Sequence, residues 1–203
     1  CTYGAKVIYP PTIYPVFHKN IPIKILNTFH PSAPGTLIYD TETAESFNVK
    51  GVSVLRGTSL FSIIPPEGVD RGDTGSRALN ALARQGIKMY PVTAFANAGL
   101  NFAVSSDDEN KALAVIRSEF APELPENLWL SPVVKSGLST VAVVGDNLRR
   151  QPGLGARIRN SLMRNGVTVN AFSEDMSDST LTFMVGRDDA DKALRVIHSL
   201  VVD

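Results

Sequence analysis

The chain repeats itself. The stretch GSRALNALARQGIKMY, beginning at Gly75, returns as GARIRNSLMRNGVTVN, beginning at Gly155. Gly75, Arg77, Asn80, Leu82, Arg84 and Gly86 recur 80 positions later as Gly155, Arg157, Asn160, Leu162, Arg164 and Gly166. Farther on, Leu100, Phe102, Val104, Asp107, Asp108 and Lys111 recur 81 positions later as Leu181, Phe183, Val185, Asp188, Asp189 and Lys192, so one residue has entered the turn between. Solenoid repeats have periods of roughly 20–50 residues, and this longer period marks a duplicated small domain instead.

Each copy carries one plan. Residues 58–64 (TSLFSII) are an apolar run of β character. The loop PPEGVDRGDTG follows, setting glycine and aspartate ahead of a helix striped by Ala78, Leu79, Leu82 and Ala83 and ended by Gly86. Residues 87–95 and 100–105 read as strands around a turn at 97–99. Asp107 or Asp108 is placed to cap a second helix, striped by Ala112, Leu113, Val115 and Ile116. The second copy reads likewise: strand 140–144, loop 145–152, helix 154–165, strands 167–172 and 180–185, helix 190–200.

The order β-α-β-β-α lacks one strand of the ferredoxin-like βαββαβ unit. The first copy finds that strand in residues 128–134. The second has only Val201, Val202 and Asp203 after its last helix, so residues 49–56 (VKGVSVLR) are expected to cross over and complete it. The expected class is therefore α+β, with two βαββαβ units. The first, 57–137, is inserted in sequence within the second, 48–56 plus 138–203. Residues 1–47 match neither copy, are rich in proline, and hold short strand candidates at 22–26 and 36–39. They read as the end of a domain whose body lies elsewhere, and the chain as a fragment of a longer protein.

Composition narrows the function classes. Twenty basic and 20 acidic residues cancel, leaving no basic stripe to collect a phosphate backbone. One cysteine, Cys1, permits no internal disulfide and fits a cytoplasmic setting. No apolar run approaches the roughly 18 residues of a membrane span. His18, His30 and His198 are scattered without metal-ligand spacing, so no metal site is expected. Trp129, between Leu128 and Leu130, is expected in the core.

A free amino acid presents a carboxylate and an ammonium. A helix start preceded by glycine offers exposed N–H groups and a partial positive charge to the carboxylate. Both copies have one, at Arg71-Gly72-Asp73-Thr74-Gly75 and at Pro152-Gly153-Leu154-Gly155. Glu67, Asp70 and Asp73 in the first copy, with Asp146 and Asn147 in the second, are candidate acceptors for the ammonium. The same residues also serve plain turns and caps, which glycine and aspartate favour with or without a ligand.

The segment GAKVIYPPTIYPVFHKNIPIKILNTFHPSAPGTLI, from Gly4 to Ile38, resembles the end of the catalytic domain of aspartate kinases, most specifically at Gly4-Ala5-Lys6, Asn27-Thr28-Phe29 and Ala33-Pro34-Gly35-Thr36. The two copies resemble that family's paired ACT domains. The resemblance implies an allosteric, amino-acid-sensing region that controls ATP-dependent phosphorylation of L-aspartate, inactive alone because the kinase body is missing. It implies ATP and Mg²⁺ as cofactors of the parent enzyme, with none in this fragment. Lys6 is then the single implied ATP contact, and one ammonium cannot hold a triphosphate, orient Mg²⁺ and position a nucleophile together. The implied effector is lysine or threonine, and the implied partners are the catalytic domain and a second copy of the chain, paired through ACT domains. By the same resemblance the effector residues are Gly68, Asp70, Arg71, Gly72, Asp73, Thr74 and Gly75 with Met89, Tyr90 and Thr93 of the second strand; Asn147, Gly153 and Asn170 are candidates in the second copy. Where the family often has a strand aspartate, this chain has Tyr90 followed by Pro91. The rival reading is an ACT-type dimerisation module that binds no ligand.

Overall fold

A computed structural model of the chain describes residues 8, 13–39, 48–64, 71–96, 99–122, 132–174 and 179–201. Near the N-terminus a single helical turn, α1 (Tyr14–Phe17), precedes two short antiparallel strands, β1 (Ile23–Ile25) and β2 (Thr36–Ile38), with Ile23 opposite Ile38. The remainder forms one antiparallel sheet of six strands: β3 (Asn48–Ile63), β4 (Met89–Ala96), β5 (Gly99–Ser105), β6 (Val133–Asp146), β7 (Val169–Glu174) and β8 (Thr180–Gly186). Their spatial order is β4-β5-β3-β6-β8-β7. Four helices join them: α2 (Arg71–Arg84), α3 (Glu109–Glu119), α4 (Leu154–Arg164) and α5 (Ala190–Val201).

The centre of the sheet is two long strands where the sequence suggests four short ones. Residues 49–56 and 58–63 form one strand of 16 residues, and β6 runs unbroken for 14. Each passes from one copy to the other. Residues 48–56 of β3 pair with 139–146 of β6, from Asn48 opposite Asp146 to Arg56 opposite Ser139. Beyond that point β3 keeps β6 on one side, to Ser62 opposite Val133, and gains β5 on the other, with Thr58 opposite Ser105 and Ile63 opposite Leu100. The segment left over by the first copy thus lies beside the first strand of the second. The domain boundaries drawn from the sequence, 56/57 and 137/138, fall inside continuous strands.

Two glycines make that continuity possible. Gly57 and Gly137, 80 positions apart, have φ of +68° and +70°. Register slips beside each, between Arg56 and Thr58 and again between Thr58 and Leu60. A left-handed residue within a strand is the bulge that bends it and strengthens its twist, and glycine adopts it without the Cβ clash. The strands therefore bend where one copy gives way to the other within the single sheet, and need not break.

Three apolar clusters follow from the period-two alternation of the strands and the 3.6-residue period of the helices. Phe61, Ile63, Leu100, Phe102 and Val104 face Ala78 and Leu82 of α2 and Ala112 and Ile116 of α3. Phe61 and Phe102 stack at 5.3 Å between ring centroids. In the second copy Val141, Val143, Leu181, Phe183 and Val185 face Ile158 and Leu162 of α4 and Ala193 and Ile197 of α5. On the reverse face a smaller cluster gathers Ala103, Leu138 and Met184 with Leu60, Tyr90 and Ala171. There the edge strands β4 and β7 approach one another.

Several local expectations need correction. Helix α2 starts at Arg71, so Gly72, Asp73, Thr74 and Gly75 form its first turn and are not a loop ahead of it. Asp73 suits that turn, where a carboxylate meets the positive end of the helix dipole and Arg77 one turn on, at 3.8 Å. Neither Asp107 nor Asp108 caps α3 through its side chain. Ser105 Oγ accepts from Asp107 N at 3.4 Å and opens a 3₁₀ turn that leads into the helix. Strand β6 begins at Val133; the earlier part of the expected strand 128–134, and Trp129 with it, lies outside the described residues.

Candidate functional site

The second copy holds a half-open cavity of about 650 Å³ where α4, its preceding turn and β7 meet. After β6 ends, Asn147 takes a left-handed conformation (φ 53°) and starts a 3₁₀ turn over residues 148–150. Leu148 is buried and anchors this turn in the core. Gly153, with φ of +73°, then turns the chain into α4, and its carbonyl accepts from Arg157 N at 2.8 Å. Leu154, Phe172 and Leu181 give the cavity an apolar floor, and Phe172 packs tilted on Phe183 at 4.9 Å.

Gly155 allows β7 to approach this closely. A Cβ there would lie 2.7 Å from Phe172 Cζ and 3.0 Å from Glu174 Oε1, inside contact distance. The missing side chain lets the Phe172 ring and the Glu174 carboxylate rest against the first turn of α4.

Charge and hydrogen bonding in the cavity are incomplete. Gln151 Oε1 is buried without a hydrogen-bond partner among the described residues. Arg149, Arg159 and Glu174 are the charged residues that line the cavity. Among the described residues neither Arg159 nor Glu174 has a side-chain hydrogen bond or an ion pair, with each other or with anything else. Ion pairs form elsewhere between Lys50 and Asp146 at 2.7 Å, Arg56 and Asp191 at 2.5 Å, and Glu119 with Arg77 at 3.3 Å and Arg84 at 3.1 Å, while among the described residues other surface charges such as Lys135 and Arg195 stand without one. An unpaired cation, an unpaired anion and an unpartnered amide oxygen around one cavity suit a ligand that carries both charges.

The structure scatters the residues nominated from the sequence. Lys6, Glu67, Gly68 and Asp70 lie outside the described residues. Arg71 opens α2, and Thr93 lies on β4. Thr74 and Gly75 are buried in the first turn of α2, while Gly72 and Asp73 are exposed there. Met89 and Tyr90 do not share a site, because adjacent strand residues face opposite ways. Met89 packs on the helix-covered core of the first copy, and Tyr90 on the reverse-face cluster, with Lys88 Nζ 5.1 Å from its ring centre. In the second copy Gly153 borders the cavity and Asn147 starts the turn beneath it. Asn170 falls at a bulge between Val169 and Ala171, donates its amide to Thr168 O at 3.5 Å and does not line the cavity. Asp146 is engaged with Lys50. The sequence reading missed Gln151, Arg159, Phe172 and Glu174. A signal for Glu174 existed: it stands two residues beyond Phe172, on the same face of β7.

Among the described residues no group of three or more His, Cys, Asp or Glu is placed to hold a metal ion, and no helix is long and apolar enough to cross a membrane.

Alternating strands and helices with this strand order, duplicated and sharing their central strands, make a fold of the ACT type, and residues 141–200 match the family model described as ACT domain. The relatives and solved structures it is similar to are aspartate kinases. Over 97% of its length the chain is 32% identical to a bifunctional aspartokinase/homoserine dehydrogenase of Haemophilus influenzae, of which it spans 24%. All of it superposes on E. coli aspartokinase III in complex with aspartate and ADP, at a TM-score of 0.77 and 23% identity, covering 44% of that chain. The same enzyme with lysine and aspartate gives 0.71. The ligand-free regulatory subunit of aspartate kinase from Thermus thermophilus matches 74% of the chain at a TM-score of 0.60 and 20% identity, with 96% of that subunit covered.

Proposed function

We propose that this chain is the regulatory region of an aspartate kinase and senses a free amino acid. The observation that carries the reading is the cavity at the start of α4, with opposite charges left unpaired on its walls, in a fold shared with aspartokinase III solved with lysine and aspartate. Lysine or threonine is the effector on this reading. The residues engaged are those of the cavity and, in the first copy, Gly72, Asp73, Thr74 and Gly75 in the first turn of α2 with Gly68 and Asp70 ahead of it. In the parent enzyme a catalytic body would use ATP and Mg²⁺ to phosphorylate L-aspartate, with Lys6 reaching the nucleotide, and the ACT units would pair two chains.

The mechanism is a population shift. The two copies share β3 and β6, so a change of packing in one strains the strands that run into the other. An effector that binds one arrangement better than its alternative biases the whole region, and with it the attached kinase, by the difference in affinity. A coupling of about 1–3 kcal/mol is the usual scale.

Isothermal calorimetry of the folded chain with lysine, threonine and methionine tests the proposal. Saturable heat from at least one of them is expected. A folded sample giving no heat with any of the three would leave the dimerisation module as the better account.

A further inference from the structure

The helix pairs of the two copies match in backbone and differ in charge. In the first copy Arg77 and Arg84, two turns apart on α2, share one carboxylate. Glu119, at the end of α3, accepts from Arg77 Nε at 3.3 Å and from Arg84 at 3.1 Å. Arg77 also lies over the Phe120 ring, 4.6 Å from its centre, with Asp73 at 3.8 Å. The second copy keeps both arginines, as Arg157 and Arg164 on α4, and has lost these partners. Glu119 and Phe120 become Leu200 and Val201, 81 positions on, and Asp73 becomes Gly153, 80 positions on. Arg157 and Arg164 are exposed, and neither has a side-chain hydrogen bond or an ion pair among the described residues. No nearby acid replaces the missing ones: α4 has no Asp or Glu, and Asp191 of α5 is engaged with Arg56.

Two arginines alone describe a site for any small anion. Two further features narrow it. The first copy shows what this spacing holds, a single carboxylate gripped from both sides along the helix. At the place from which that carboxylate came, the second copy has Leu200, 39% exposed. A small inorganic anion leaves that leucine in water, and an apolar side chain covers it. A polypeptide surface presents the two groups together, and arginine beside apolar area is the composition of interface centres.

We propose that the α4–α5 face of the second copy is a docking surface for an acidic polypeptide segment, which sets a carboxylate between Arg157 and Arg164 and an apolar side chain on Leu200. The occupant supplies from outside what Glu119 supplies within the first copy. Arg157, Arg164 and Leu200 do not line the cavity at the α4 start, so the assignment is independent of the sensing role.

The probe is acetyl-Glu-Phe-amide, with acetyl-Gln-Phe-amide and inorganic phosphate as controls, titrated into the isotope-labelled 203-residue chain and followed by NMR. The glutamate peptide is expected to shift the Arg157 and Arg164 Nε–H signals and the Leu200 methyl signals saturably. The glutamine peptide should bind about tenfold more weakly or worse, the usual loss when a charge-assisted hydrogen bond is removed. Arg157→Ala and Arg164→Ala should each weaken the glutamate peptide by a similar factor. Leu200→Glu, which restores the acid of the first copy, should close the site and abolish the shifts. Circular dichroism checks the fold of each variant, and the two arginine variants, altered only at exposed side chains, decide the matter if Leu200→Glu does not fold. Equal binding of the two peptides, or phosphate moving the same signals as strongly, would make the face a general anion site and overturn the proposal. So would the absence of any shift at Arg157 and Arg164 with the glutamate peptide at millimolar concentration.

Discussion

Ser59 and Ser139 occupy equivalent places in the two copies, both fully buried, yet only Ser59 has a partner. Ser59 Oγ donates to Glu109 Oε2 at 2.5 Å, and Glu109 also accepts from Ser136 Oγ at 2.8 Å. In the second copy the residue at the corresponding place, 81 positions after Glu109, is Ala190. Ser139 Oγ is accordingly left without a hydrogen bond among the described residues. The duplicated backbone has kept the serine and lost its acceptor.

That asymmetry predicts opposite outcomes for the same substitution. Ser59→Ala is expected to destabilise by about 1–2 kcal/mol, the range for a lost hydrogen bond to a carboxylate that keeps a second donor. Ser139→Ala should be within about 0.5 kcal/mol of neutral, or stabilising, because a buried hydroxyl without a partner is removed. Urea unfolding of both variants measures this; equal losses at the two positions would show the serines to be equivalent after all.

Gly57 and Gly137 test the bent central strands. A Cβ on Gly137 would meet nothing within 4 Å, and one on Gly57 would meet only Ser106, whose Oγ would lie 3.7 Å away. Alanine at either place therefore meets backbone strain and little else, at a cost of about 1–2 kcal/mol each. Asparagine, which tolerates the left-handed region better, should cost less than alanine at the same position. Thermal melts rank the four variants, and alanine matching glycine would mean the bulge is not needed.

Gly155→Ala probes the cavity. Its methyl group would overlap Phe172 Cζ, so the ring must move or the helix shift, at about 1–3 kcal/mol. Combining Gly155→Ala with Phe172→Leu should recover part of the stability while leaving effector binding impaired, which separates the packing role of the glycine from its role at the site. Unfolding and calorimetry on the same samples give both readouts.

The ion pairs differ in what they contribute. Lys50 and Asp146 are half exposed, at 53% and 50%, and a double-mutant cycle should give a coupling below about 1 kcal/mol that shrinks in high salt. Arg77 lies over the Phe120 ring at 4.6 Å and donates to both the side chain and the backbone carbonyl of Glu119. Arg77→Ala is expected to cost about 1–2 kcal/mol, much of it insensitive to salt because packing is lost along with charge. A coupling of Lys50 with Asp146 larger than the Arg77 effect would reverse this ranking.

Much of the fold was legible in the residues. Repetition at a near-constant offset exposed the duplication, and hydrophobic period located all four helices of the copies within a few residues. The α2 and α4 ends match closely: Gly86 N bonds Ala83 O and Ile87 N bonds Leu82 O, as Gly166 N bonds Met163 O and Val167 N bonds Leu162 O. These are local signals, set by residues within one or two turns of each other. The counting of strands also left residues 49–56 with only one copy to complete.

What tertiary structure alone decided is which distant groups meet. Gln151 comes from a turn, Arg159 from a helix and Glu174 from an edge strand, and no spacing along the chain brings them around one cavity. Nor does local pattern reveal that Asp146 is spent on Lys50, that Met89 and Tyr90 face opposite sides of the sheet, or that Ser139 lacks the acceptor its twin enjoys. Secondary structure arises from short-range periodicity, which one sequence displays. A binding site arises from the crossing of elements far apart in the chain, where the absence of a side chain at Gly155 matters as much as the charges beside it.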